Sequence, residues 1–111
     1  LRNFMLGKKA MDVGHILENV IYLELLRRGY NVYVGKIDSQ EVDFVAQTQD
    51  GNTYIQVAAS VRDEATLERE LKSLKAIKDN YPKMILTLDD DPDADYEGIM
   101  RKNALEWLME N

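Results

Sequence analysis

The chain has 111 residues, 45% of them hydrophobic, enough for one domain with its own core and no covalent staples. It has no cysteine, which excludes disulfides, thiolate metal sites and a cysteine nucleophile, and which fits a reducing cytoplasm. A formal net charge of -6 argues against binding nucleic acid through bulk charge, and neither a signal peptide nor a membrane-spanning apolar run is present.

Residues 1–13 begin at Leu1 rather than Met and read as the tail of a preceding region, with the domain proper at 14–111. A helix is predicted from Gly14 to Arg28, started by Asp12 and stopped by Gly29 in the left-handed region. Ile16, Leu17, Val20, Ile21, Leu23, Leu25 and Leu26 spread around most of its wheel, which predicts a central helix packed on several faces. Three strands follow, at Asn31 to Gly35, Glu41 to Gln47 and Thr53 to Ala59, the last two joined by an Asp50-Gly51 hairpin. A second helix is expected from about Asp63 to Asp79 on a Leu67, Leu71, Leu74 stripe, then a buried strand at Lys83 to Leu88. Asp89 to Asp95 reads as a solvated loop, since it lacks the glycine and glutamate of a calcium loop. Asn103 caps a closing helix whose apolar contacts come from Leu105, Trp107, Leu108 and Met109. The order α-β-β-β-α-β-α contains a strand–helix–strand crossover, which predicts an α/β fold with a mixed central sheet and flanking helices.

Three polar residues stand out against this pattern. Glu18 lies in an otherwise apolar arc of the first helix, where a carboxylate is costly unless a charge or donor meets it. The alternative is a lysine or arginine paired with it across the core. Asp43 sits among Val42, Phe44 and Val45 in a strand, where aspartate is disfavoured; period-two alternation puts it on a face with Glu41 and Val45. A polar network or a metal explains it, as does an edge strand with one face in water. Gln56 and Ala58 share a face of the next strand, so the hairpin brings Gln56 beside Asp43. Glu18, Asp43 and Gln56 are therefore expected to converge, as a weak site for Mg2+ through hard oxygen ligands. His15 is the only histidine and reads as a capping or packing residue, so zinc is not expected. Lys72, Lys75 and Lys78 read mainly as the solvent face of the second helix, with Lys78 near Leu67 and Leu71. Arg27, Arg28, Lys36 and Arg62 are candidates for a local basic patch.

The chain resembles the carboxy-terminal nuclease-like domain of unknown function that follows an AAA-type ATPase core in bacteria and archaea. The resemblance rests on Gly14-His15-Ile16-Leu17-Glu18-Asn19, Leu23 to Tyr30, Val32 to Lys36, Glu41-Val42-Asp43-Phe44-Val45, Tyr54-Ile55-Gln56-Val57, Arg69-Glu70, Asp79 to Lys83, and Asn103 to Leu108. It implies a restriction-endonuclease-like, PD-(D/E)XK fold in which Glu18, Asp43 and Gln56 occupy the first, second and third site positions. Ala58 then replaces the lysine of that pattern, which puts cleavage in doubt. It also implies an upstream ATPase core in the same chain that holds the ATP. Gly7-Lys8-Lys9 lacks the spaced glycine and hydroxyl residue of a phosphate loop and is not that pocket. The leading expectation is a catalytically inactive binding or regulatory domain of a cytoplasmic ATPase. The competing ones are a metal-dependent nuclease with a rearranged site using Glu18, Asp43 and Lys78, and a protein-interaction module. Either a nucleic acid or a protein is the expected partner, and not a membrane.

Overall fold

The computed structural model describes residues 10–37, 40–77 and 80–110, with side chains given for all of these except 10–12, 35–37 and 40–41. The expectations for residues 1–9 and Lys78, and for the side chains of Asp12, Lys36 and Glu41, lie outside that description. Nine elements follow in order: α1 (Ala10–Arg27), β1 (Asn31–Ile37), β2 (Gln40–Thr48), β3 (Gly51–Val57), α2 (Glu64–Lys75), β4 (Lys83–Thr87), β5 (Ala94–Tyr96), β6 (Ile99–Asn103) and α3 (Ala104–Met109). The six strands form one mixed sheet in the order β1-β2-β3-β4-β6-β5.

β1, β2 and β3 are an antiparallel meander, and the crossover through α2 makes β3 and β4 parallel. Parallel pairing of β4 with β6 and an antiparallel β5–β6 hairpin complete the sheet. The α/β mixed sheet with flanking helices matches the expected architecture, and β5 and β6 extend it beyond the single strand expected after α2. Their two-residue turn, Glu97-Gly98, has φ of +56° and +93°, the geometry that lets two short strands pair tightly. Glutamate is an uncommon residue at such a position, so the turn carries little signature in the chain.

Two apolar layers cover the sheet. Leu17, Ile21 and Leu25 of α1 pack with Ala104 and Trp107 of α3 on Phe44, Ala46, Ile55, Val57 and Leu86. Leu71 and Leu74 of α2 pack with Val61 and Ile77 on Val42, Val45, Tyr54, Ile85 and Ile99. Ile85 and Leu86 enter opposite layers, which accounts for the continuous apolar run in β4.

Several local expectations change. α1 begins at Ala10, so Asp12 lies inside the helix rather than ahead of it. That helix is also a flank, not a centre: Leu17, Ile21 and Leu25, four apart, are buried on the sheet with Tyr22 stacked on Phe44 beside them, while Val20, Leu23 and Leu26 are exposed. Gly29 does close it with φ of +90°. Asp63 caps α2 by accepting from Thr66 N–H at 3.1 Å, and Asn103 caps α3 by accepting from Glu106 N–H at 3.0 Å. Leu105 and Met109 face outward instead of contributing to the core.

The acidic segment after β4 is not a solvated loop at its start. Asp89 is buried, accepts from Val61 N–H at 2.9 Å, and its carbonyl accepts from Asn103 Nδ2 at 2.9 Å. It thereby ties the entry to α2 to the cap of α3.

Candidate functional site

Asp43 lies where the β2–β3 ladder stops. The last register pair is Phe44 with Ile55, and one residue further on side chains replace the backbone partners. The Asp43 N–H donates to Gln56 Oε1 at 2.8 Å, and the Val57 N–H donates to Asp43 Oδ2 at 2.8 Å. Each side chain satisfies a donor that the opening strands would otherwise leave without a ladder partner. Gln56 can therefore be buried at 3% exposure in a central strand.

A slip in register on the other side of β2 sets the direction of Asp43. Tyr33 pairs with Val45 but Gly35 pairs with Val42, so Asp43 and Phe44 together stand opposite Val34. Such a bulge breaks period-two alternation. Val42 and Val45 consequently share the α2-side core, and the predicted common face of Glu41, Asp43 and Val45 does not form as a regular alternation.

Glu18 lies on α1 close enough to Asp43 for the two carboxyls to influence each other. Burial, then the charge of Asp43, push the Glu18 carboxyl above the ordinary range; His15 pulls the other way. Glu70 approaches from α2. Burial, and next the charge of Asp43, also push it up, with Arg69 opposing and Glu18 adding to the rise. Asp43 and Gln56 meet directly, while Glu18 and Glu70, the latter not among the expected residues, lie within electrostatic reach of Asp43. Its signal was legible: Glu70 stands three residues after Leu67 and four before Leu74, on the inner stripe of α2. The alternative, a lysine or arginine paired with Glu18 across the core, is not seen: among the described residues neither Glu18 nor Glu70 makes a salt bridge.

The arrangement has two chemical consequences. First, its oxygens do not fit a tight magnesium cage. Gln56 Oε1 and Asp43 Oδ2 already accept backbone hydrogen bonds, and among the described residues no three His, Asp or Glu side chains are arranged to hold a metal. Second, the position where the resemblance puts a lysine is apolar. Ala58 packs in the α2-side core and its N–H donates to Leu86 O at 3.0 Å.

Of the candidates for a basic patch, Arg27, Arg28 and Arg62 are ion-paired, and the Lys36 side chain lies outside the described residues. Arg27 and Arg28 both bind Glu24, at 2.6 and 2.7 Å, and Arg28 also donates to the carbonyls of Trp107 and Glu110. Arg62 binds Asp91 at 3.0 Å. Lys72 and Lys75 are exposed as expected, and Lys75 lies 3.5 Å from Glu97. No helix among the described residues is long and apolar enough to cross a membrane.

The model of the family described as Domain of unknown function (DUF4143) matches residues 13–104. An uncharacterized protein from Haemophilus influenzae is 39% identical over 110 residues, which are 99% of this chain and 27% of that protein. An uncharacterized protein from Methanocaldococcus jannaschii is also 39% identical, over 74% of this chain and 20% of that protein. The chain spans about a quarter of the length of the curated relatives it matches. No solved structure matches it.

Proposed function

The chain belongs to the family of domains of unknown function numbered 4143, and from that membership we propose that it is a nuclease-like module that binds or regulates and does not cut. In this reading it descends from a PD-(D/E)XK nuclease and serves a cytoplasmic AAA-type ATPase, whose ATP-binding core lies upstream in the same chain. The much greater length of both relatives supports the presence of further domains.

One observation carries the reading. The strand that should bring a carboxylate and a lysine to the open end of the ladder brings Gln56, spent on Asp43 N–H, and Ala58, packed in the core. Phosphodiester hydrolysis needs a stabilised nucleophile and compensation of charge on the leaving side. Glu18, Asp43 and Glu70 supply acceptors, but neither Gln56 nor Ala58 supplies positive charge. Incubating the chain with DNA or RNA in magnesium and in manganese should give no cleavage above background. Robust cleavage that disappears in Asp43→Ala would overturn the proposal.

A second reading is favoured by the electrostatic influence of Asp43 on Glu18 and Glu70: a metal-dependent nuclease whose site has been rearranged, using Glu18, Asp43 and a helix lysine such as Lys78, which lies outside the described residues. It requires a divalent ion between Glu18 and Asp43. Calorimetry with magnesium and manganese tests it directly, and absence of a binding isotherm sinks it. For the non-cutting module, the pairing of Arg27, Arg28 and Arg62 with carboxylates supports a protein partner over a duplex, because phosphate contacts need uncommitted cations.

A further inference from the structure

β1 forms one edge of the sheet, and among the described residues no backbone hydrogen bond joins it to any segment but β2. An edge strand turns alternate N–H and C=O groups outward, ready to pair with an added strand. Natural edges are commonly blunted by charge, proline or a cover; among the residues of β1 whose side chains are described, Tyr33 and Val34 are exposed at 55% and 71%. Beside this edge, on the α1 side, lies a groove of about 380 Å³ between the helix and the strand. Tyr22, Val32, Val34 and Phe44 make its apolar walls, with Tyr22 and Phe44 stacked at 5.9 Å, and Glu18 and Asn19 form its polar lining.

We propose that this edge and groove receive an extended, basic segment of a partner protein, which adds a strand to β1, buries an apolar side chain against Tyr22 and Val34, and sets a lysine or arginine against Glu18. Backbone pairing supplies affinity in such recognition, and the side-chain pocket supplies specificity. Charge selects the occupant. The groove carries the Glu18 carboxylate and the whole chain is at -6, so a second copy or a polyanionic oligonucleotide would meet like charge, whereas a basic peptide meets its complement. The inference rests in part on the reading of Glu18 and Asp43 as a non-cutting surface.

The test uses the isotopically labelled chain and a short capped peptide alternating valine with lysine. Binding should slow amide exchange along β1 and shift the Tyr22 and Val34 signals. Val34→Lys should weaken it about tenfold, through lost burial and added repulsion, and Glu18→Gln should weaken it less. The same peptide with glutamate for lysine, and oligothymidylate, should leave β1 unchanged. Failure of the lysine peptide to protect β1 overturns the proposal. So does equal protection by the glutamate peptide, displacement of the same signals by oligothymidylate, or protection of β1 by self-association seen in sedimentation. Cleavage of DNA by the chain would remove the non-cutting reading while leaving strand addition to stand or fall on these measurements alone.

Discussion

At the carboxy-terminal end of α1, Glu24 is held between Arg27 and Arg28, and the Arg28 guanidinium lies 4.2 Å from the centre of the Trp107 ring. Nearer the other end of the same helix, the charge of Asp43 reaches both Glu18 and Glu70 and raises each of them. The first arrangement spends its charges on one another and on the carbonyls of α3, so it fastens α1 to α3. The second leaves negative charge partly buried without a facing salt bridge for Glu18 or Glu70. Structural ion pairs close on themselves, while a cluster of like charges that persists at a fork between strands keeps an appetite for something positive.

The two regions also answer acid in opposite ways. Hydrogen bonds from Arg27 and then Arg28 hold the Glu24 carboxyl down at about 2 against an ordinary 4.5. Its contribution to stability is therefore present above pH 4.5 and is lost as pH falls towards about 2. Glu18 and Glu70 are pushed up, so their contribution is complete below the unfolded value of 4.5 and is lost as pH rises through the folded value.

The contrast can be broken most forcefully at the fastened end. Trp107→Ala should cost about 3–5 kcal/mol in denaturant unfolding, because it empties the layer under Arg28; a loss near zero would deny that end its structural role. At the fork, Asp43→Ala should cost about 1–3 kcal/mol by stranding the Val57 N–H, whereas Asp43→Asn keeps an acceptor and should cost much less. Equal losses would mean that charge, not the hydrogen bond, matters there. Smaller and of opposite sign, Glu18→Gln or Glu70→Gln should stabilise the neutral-pH protein by about half a kcal/mol. That gain should fade as the pH is lowered below the ordinary carboxylate value. Last, Glu24→Gln should flatten the acid limb of the stability curve between pH 4.5 and about 2 while leaving the neutral region least changed.

Much of this was legible along the chain because its causes are local. The caps at Asp63 and Asn103 need only a side-chain oxygen three residues before an amide, and the Asp50-Gly51 turn needs only its own two residues. The Leu71 and Leu74 stripe and the doubly buried β4 follow from period alone. β5 and β6 were not legible, since only Ile99 among their residues is buried and their turn uses glutamate. Nor was the outward face of α1: Val20, Leu23 and Leu26 are as apolar as Leu17 and Ile21, and composition does not tell which side meets the sheet.

By itself the sequence determined the three helices, the first four strands, the β2–β3 hairpin and the crossover, because period, turn chemistry and the order of elements are properties of neighbouring residues. Tertiary structure alone decided that a bulge turns Asp43 out of strict alternation, that Glu70 arrives from the opposite layer, and that the arginines are already taken. Those outcomes depend on which strands pair, and in what register, between residues far apart in the chain, where no local pattern reaches.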